Sequence, residues 1–331
     1  MPPGKPTFSV IIVNYNGGEF LQMAIKSLAG QSFRDFELIV VDNNSEDGSM
    51  DSLDLSGLPH ANTLLEKTNH GFAAGSNLGA RVARGTWLAM LNPDAVAAPD
   101  WLERVHDAIA RHPDCRVFAC TQYDLDDPEQ LDGSGDAYLL FGIPWRGSFQ
   151  RPASELPAEG YCFSPCGASA IYNRDLFLAH DGFDERFFCY CEDVDLGMRL
   201  QLSGEDCIFL PDALIHHKGS GISGRYSYFT TFHGNRNRTW AYLKNMPLWL
   251  LVLTLPGHVA LLSYIYVRNR SRMPNTGMAD GIKAGFREGW KLRRDPAYHV
   301  PAGPKHSLRL LRSMAWNPWR MARRAAHVRP L

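Results

Sequence analysis

The first third of the chain alternates short apolar, β-rich runs with amphipathic stretches, and this alternation restricts the possible folds more than any other feature. Phe8 to Asn14, Phe36 to Asp42, Thr63 to Glu66 and Trp87 to Asn92 have strand composition. Between them, Phe20 to Ala29, Gly75 to Arg84 and Asp100 to Arg111 carry helical spacing. A β-α-β-α order implies an α/β fold with a mostly parallel sheet, helices on its faces and right-handed crossovers. Ligands of such sheets bind beyond the carboxyl ends of the strands. The strand ends here are polar or turn-forming: Asn14-Tyr15-Asn16-Gly17-Gly18, Asp42-Asn43-Asn44-Ser45 and Asn92-Pro93-Asp94.

Residues 122–160, rich in Asp, Gly and Pro with scattered aromatics, predict a substrate-covering flap or an irregular hairpin. Regular spacing returns with a strand at Ala168 to Tyr172, a short helix from Arg174 and a helix from about Glu192 to Leu202. Short strands follow at Ile208 to Leu210 and Leu214 to His217. Beyond Tyr228 the character changes. Leu248 to Val267 is twenty residues with no formal charge, long enough to span a bilayer as one helix, and Arg268, Arg270 and Arg272 follow it. The Pro256-Gly257-His258 interruption suits two half-length helices in the interface equally well, and a buried soluble hairpin is the plainer alternative.

Charge is informative only when the chain is divided. Up to residue 267 there are 19 Lys+Arg and 32 Asp+Glu; after it, 15 and 3, giving −13 and +12 within a total of −1. An anionic membrane surface fits the apolar run and the basic tail together. Nucleic acid is not expected, because few aromatics are interleaved with the tail's charges for base stacking. With 45% hydrophobic residues the chain is globular, which excludes disordered and collagenous readings. Seven Cys and the short polar start Met1 to Pro6 point to a reduced, cytosolic main domain without disulfides. The pairs Cys162/Cys166 and Cys189/Cys191 lack zinc-site spacing and read as buried thiols.

Asp42 ends a strand, where a carboxylate can accept from a ribose hydroxyl or a base N–H, although turn formation explains an Asp there as well. Asn69 to Asn77 sets two glycines around a helix start, so backbone amides can approach a diphosphate. It is not G-x-G-x-x-G, which counts against a dehydrogenase. Asn92-Pro93-Asp94 presents a carboxylate on a rigid turn, as a hard divalent cation bridging diphosphate oxygens requires. Glu192-Asp193-Val194-Asp195 crowds three carboxylates into the first turn of a helix, where the dipole would keep them ionised. One of them can serve as a general base; Glu192 and Asp195 share a face, with Asp193 about 100° away. His216 and His217 lie on a strand and point to opposite faces, so at most one reaches a given site. A histidine there can complete a metal shell of carboxylate and phosphate oxygens.

Together these residues resemble the family 2 glycosyltransferases of the GT-A fold, in particular the bacterial rhamnosyltransferase-like branch. The likeness runs from about Phe8 to Ser220. Its landmarks are Ser9 to Asn16, Val41 to Ser45, Asn69-x-Gly71-Phe72-Ala73-x-Gly75-x-Asn77, Asn92-Pro93-Asp94, Gly182 to Phe188, Glu192 to Asp195 and Pro211 to His217. The resemblance implies that Tyr15 and Asp42 hold the nucleoside, with Asn14 and Asn92 also on the donor side. Asn69, Gly71 and Asn77 would lie near the donor sugar and diphosphate. Asp94 would bind Mg²⁺ or Mn²⁺ with His217 as the second ligand and His216 as second choice. Asp193 would be the general base, with Glu192 beside the acceptor. Asn92 stands where the family's metal motif has its first Asp, so one carboxylate is expected to suffice, with weaker metal affinity.

The expected activity is inverting transfer of a hexose, L-rhamnose from dTDP-rhamnose first and a UDP-linked hexose next, to a saccharide or lipid-linked saccharide in cell-surface polysaccharide synthesis. A metal-dependent nucleotidyltransferase is the rival, but it would want a basic Gly-rich loop after the first strand, where Asn16-Gly17-Gly18-Glu19 is acidic. The expected division is a GT-A catalytic domain at 1–227 and a helical, membrane-associating region at 228–331. The expected place is the cytoplasmic face of the cell membrane, held peripherally, monotopically or by a span at 248–267.

Overall fold

The computed structural model describes residues 4–51, 53–219, 224, 227–270, 277–300 and 303–331. Met1, Ser220 and Arg272, named above, lie outside the described residues. β1 (Phe8–Asn14), β2 (Phe36–Asp42) and β4 (Trp87–Leu91) are buried along their whole length, because helices cover both faces of their sheet. One face packs Val10, Ile12, Leu38 and Val40 against α1 (Gly18–Ala29) and α3 (Trp101–Arg111). The alternate residues Ile11, Val13, Ile39 and Val41 meet α2 (Gly71–Val82) and α4 (Arg174–Ala179). Period-two alternation thus builds both layers of the core.

β3 (Ala61–Leu65), β2, β1 and β4 run parallel in that order. β12 (Ser169–Asn173) then joins antiparallel to both β4 and β6 (Val117–Asp124). β13 (Cys207–His217) runs parallel to β6 and antiparallel to β5 (Ala95–Ala97). The α/β layering is as expected, but the sheet is mixed rather than mostly parallel: periodicity reports which faces of a strand are buried and not which way its neighbours run. The two short strands expected within 208–217 are one strand with a bulge between Leu210 and Leu214.

The 122–160 segment is an ordered set of hairpins. β7 (Gln130–Ser134) pairs with β6, and β8 (Asp136–Leu139) pairs with β9 (Ile143–Arg146). β10 (Arg151–Pro152) borders β7, and β11 (Gly160–Cys162) borders β13. Tyr161 N donates to Arg329 O at 2.8 Å and Arg329 N to Tyr161 O at 2.9 Å, so the last residues of the chain extend the sheet beyond β11.

α5 (Glu192–Ser203) is covered on both sides. Leu196 and Leu200 face the sheet, while Val194, Met198 and Leu202 face a second core with Tyr242, Leu243, Leu250 and Leu310. These belong to α6 (Tyr228–Asn245), α7 (Leu248–Asn269) and α9 (Pro304–Ser313). α8 (Met278–Arg294) lies on α6, and α10 (Pro318–Ala322) follows α9. α7 runs unbroken through Pro256, where two half-helices were an alternative. The amide that Pro256 lacks would have bonded the carbonyl four residues back, at Val252, whose side chain lies on the exposed side of the helix.

The α6–α8 contact depends on Gly281, Gly285 and Gly289, one per turn. A Cβ at Gly285 would stand 2.7 Å from Thr239 Cβ, and one at Gly281 2.4 Å from Phe232 O. Gly285→Leu is expected to push α8 off α6 at a cost of about 1–3 kcal/mol, read as a lower Tm with helical content retained in circular dichroism.

Candidate active site

Asp94 follows β4 on a turn closed by Ala95 N–H donating to Asn92 O at 3.1 Å. β5 then pairs with the end of β13 and sets Ala95 opposite His217. This register brings His217 Nε2 to 3.2 Å from Asp94 Oδ1 and to 3.2 Å from Asn92 Nδ2. The other ring nitrogen, Nδ1, donates to Asp132 Oδ2 at 2.7 Å. Asp132 is the extra residue of a bulge in β7, since Gln122 pairs with Gly133 but Tyr123 with Leu131. The bulge re-aims its carboxylate at the histidine, and Arg146 pairs with the same carboxylate. Burial disfavours a charged His217, but the carboxylates of Asp132 and Asp94 outweigh it and raise the imidazole to about 9. His216 points away, half-buried beside Tyr123, and burial lowers its pKa.

One carboxylate oxygen and one imidazole nitrogen at this spacing fit a divalent cation that takes its remaining ligands from a diphosphate and water. Among the described residues no three His, Cys, Asp or Glu side chains form a closed metal cage. The donor set therefore suits a cation shared with substrate rather than a structural ion. Asp132 fixes the tautomer that leaves Nε2 as the ligating atom.

The second centre is the start of α5. Phe188, Tyr190 and Cys191 have φ of 65°, 74° and 63°, left-handed values that cost non-glycine residues of order 1–3 kcal/mol each. Asn237 on α6 holds this loop, its Nδ2 lying 2.8 Å from each of the carbonyls of Phe187, Cys189 and Tyr190. Beyond the loop, Asp193 Oδ2 accepts from Gly167 N and Oδ1 from Val194 N, both at 2.8 Å. The next residue, Ala168, accepts from Asn92 N at 3.1 Å. Two consecutive residues, Gly167 and Ala168, thus tether the Asp193 carboxylate and the Asp94 turn.

The helix dipole does not keep Glu192 and Asp193 at ordinary carboxylate values. Burial raises Asp193, although the Gly167 and Val194 amides and Arg146 oppose it. Burial, then the Asp193 charge, raises Glu192 well above the usual range, and Glu192 Oε2 has no partner among the described residues. Asp136 on β8 is raised well above it by burial and by Asp193. Asp195 is directed elsewhere: it accepts from Lys244 Nζ at 2.8 Å, Asn245 Nδ2 at 2.7 Å and Arg199 Nε at 3.0 Å. Sequence reading missed Asp132, Asp136 and Asn237; only the Asp-Gly pair at 132–133, a bulge composition, could have drawn notice.

On the expected donor side, Tyr15 is exposed after β1. Asn14 Nδ2 is held among Asp42 Oδ1 at 2.9 Å, Ser45 Oγ at 3.0 Å and Ser49 Oγ at 3.0 Å. Asp42 also accepts from Ser45 N and Ser45 Oγ, so it closes its own turn. Asn69 Oδ1 accepts from Gly71 N at 2.9 Å, and Gly71 has φ of +85°. A Cβ at Gly71 would stand 2.4 Å from Phe188 O, which in turn accepts from Ala73 N. Two of the first α2 amides are therefore engaged within the protein. Asn77 clamps α2 to the 182–188 loop, donating to Phe183 O at 2.8 Å and accepting from Phe183 N at 2.9 Å. A cavity of about 740 Å³ lies elsewhere, between the start of α7 and Arg293, His299 and Val300, and shares no residue with these centres.

The Glycosyl transferase family 2 model matches residues 9–178, just over half of the 331. The chain is 26% identical over 309 residues to the N-acetylglucosaminyl-diphospho-decaprenol L-rhamnosyltransferase of Mycobacterium tuberculosis, covering 82% of this chain and 97% of that one. It is 25% identical over 223 residues to the glucosyl-dolichyl phosphate glucuronosyltransferase of Haloferax volcanii, covering 63% and 68%. Among solved structures, S. aureus TarS with UDP-GlcNAc aligns with a TM-score of 0.57 at 18% identity over 86% of this chain and 80% of that one. The mannosyltransferase PcManGT of Pyrobaculum calidifontis with GDP-Man and Mn²⁺ aligns at 0.55 and 16% over 94% and 87%. The fold is of the GT-A type, and the chain belongs to glycosyl transferase family 2.

Proposed function

We propose that this protein transfers a hexose, L-rhamnose from dTDP-rhamnose before a UDP-linked hexose, to a saccharide or lipid-linked saccharide during cell-surface polysaccharide synthesis. The observation that carries this reading is the Gly167–Ala168 tether, which holds a buried carboxylate base and a carboxylate–histidine pair side by side. The acceptor hydroxyl gives its proton to Asp193 while its oxygen bonds to the anomeric carbon and the bond to the diphosphate breaks, so configuration inverts. The Gly167 and Val194 amides orient the Asp193 carboxylate and leave each oxygen a further lone pair for that proton. Glu192, whose Oε2 has no partner among the described residues, and Asp136 would hold the acceptor. Tyr15 and Asp42 take the nucleoside, with Asn69, Gly71, Asn77, Asn14 and Asn92 shaping the donor side. Asp94 and His217 would hold Mg²⁺ or Mn²⁺, which when bound stabilises the leaving diphosphate.

In this reading residues 1–227 bind the donor and perform the transfer, and residues 228–331 hold the enzyme at the cytoplasmic face of the cell membrane. The M. tuberculosis relative, whose name specifies a decaprenol-linked acceptor, supports a lipid-linked acceptor and a membrane setting.

Thermal unfolding with dTDP-, UDP- and GDP-sugars, each with Mn²⁺, Mg²⁺ or EDTA, tests the donor class; a ligand at 100 times its Kd adds about 2.7 kcal/mol. A metal-dependent rise with dTDP-rhamnose, absent in Asp94→Ala, is expected. Asp132→Asn is expected to need about 10–100-fold more cation for the same rise. No rise with any nucleotide sugar would refute the reading.

Asp193→Asn is expected to lower kcat by about 10²-fold or more. Because burial raises the Asp193 pKa, activity of the native enzyme falls as the pH drops through a value above the ordinary aspartate range, and a kcat/KM profile shows that limb. A variant that keeps a tenth of the native turnover would remove Asp193 from the role of base.

Glu192→Gln should lower activity yet raise Tm. Folding lifts this carboxyl's pKa, so the unfolded chain releases the proton more readily than the folded one; that cost to folding is absent below the unfolded value, accumulates as the pH rises from it and is complete once the pH passes the folded value. The gain in Tm over native protein should appear at about pH 8 and vanish by about pH 4.

A further inference from the structure

We infer that α7 lies flat on an anionic bilayer, in the plane of the interface, and does not cross it. The inference concerns how the protein is held, and it stands apart from which sugar is transferred.

α7 has two faces of different kinds. Leu250, Leu251, Thr254, His258 and Leu262 fall within one stripe and are buried. Leu250 and Leu251 pack with Val194 and Met198 of α5, and Leu262 packs with Leu139, Ile143 and Ala315. His258 Nδ1 donates to Phe141 O at 2.8 Å, and its ring stacks on Tyr242 at 4.0 Å. The Phe141 ring sits where a Cβ at Gly257 would stand, 2.5 Å away, so only glycine admits it. The Pro-Gly-His sequence that suggested a broken helix is therefore the seat of the β8–β9 turn.

These contacts run from Leu250 to Leu262, about 18 Å of helix at 1.5 Å per residue. A spanning helix must present its sides to roughly 30 Å of hydrocarbon. To do so here, α7 would have to carry α5 and the β8–β9 hairpin into the bilayer, together with the ionic groups Asp195, Arg199 and Lys244. The packing leaves only the opposite face for lipid.

That face is apolar for the whole length of the helix: Trp249, Val252, Leu253, Val259, Tyr264 and Val267 are between 44% and 68% exposed. Aromatics mark both ends, as in helices that rest at a membrane boundary. α10 joins the same core, since Met321, like Leu261 and Ile265, packs against the cluster of Leu139, Ile143, Leu262 and Ala315, and it displays Trp319 at 72% exposure beside Arg320 and Arg323. α7, α9 and α10 contain no Asp or Glu, and α8, which carries Asp280 and Glu288, ends in Lys291, Arg293 and Arg294, with Arg293 beside Trp249 and Val252, so basic groups predominate around this surface. Protein interfaces are rimmed by mixed polar groups, whereas a predominantly basic border around an apolar stripe matches anionic head groups over acyl chains.

The full-length protein should co-float with phosphatidylcholine vesicles containing about 30% phosphatidylglycerol, bind pure phosphatidylcholine much less, and be released by alkaline carbonate. Val252→Glu with Leu253→Glu, both on the exposed face, should reduce bound protein by at least about tenfold at unchanged Tm and unchanged nucleotide-sugar stabilisation. Resistance to carbonate would overturn the inference in favour of a span. Failure to float, accompanied by concentration-dependent dimers in sedimentation, would overturn it in favour of a second copy on this face. In either case the nucleotide-sugar response of the same sample reports separately on the proposed transfer.

Discussion

Lys244 places its ammonium where no water reaches it, between Asp184 at 2.7 Å and Asp195 at 2.8 Å, and much of the structure depends on that arrangement. Asp184 belongs to the loop before α5, Asp195 to α5 and Lys244 to α6. One cation therefore fixes the loop, the helix that bears Asp193 and the first helix of the C-terminal region. Asn245 and Arg199 satisfy the remaining oxygens of Asp195, and Arg186 those of Asp184. Such a cluster adds little net stability over an apolar substitute, but removing one member costs about 3–5 kcal/mol because the others are left buried and unpaired. It ties α5 to α6, whose Asn237 holds the loop of the strained residues Phe188, Tyr190 and Cys191 from behind.

The parts legible in the sequence are those set by local pattern. β1 and β2 have the bounds their apolar runs indicated, and the carboxylate-rich start of α5 lies where the 192–195 cluster placed it. That at most one of His216 and His217 could meet Asp94 also followed from local facts, since a strand sends neighbours to opposite faces; the preference for His217 came from the family resemblance, and it is His217 that lies beside Asp94.

What was not legible depends on long-range pairing. Asp132 reaches His217 through an 85-residue separation and one bulge, and no periodicity encodes that. The dipole argument predicted ionised acids at α5, but it took no account of α6 and α7 covering the helix and removing water from Glu192 and Asp193. Asn77 carries the spacing of a ligand-facing residue and is occupied as a clamp on the 182–188 loop. Pro256 was weighed as a breaker because a sequence does not reveal which side of a helix will meet a neighbour.

The pairing of Arg329 with Tyr161 bears on how the chain comes to its native state during synthesis. The strands of the catalytic core lie early in the sequence, yet β11 receives its outer partner only from the last few residues. Until these emerge, the N-terminal sheet must persist with an open edge, of the kind that invites pairing with other chains. Gly160, where a Cβ would stand 2.2 Å from Arg329 O, keeps that edge accessible to the late-arriving strand. The sheet edge is thus completed by a pairing between mid-chain Tyr161 and Arg329, a high-contact-order step that covers a surface otherwise open to aggregation.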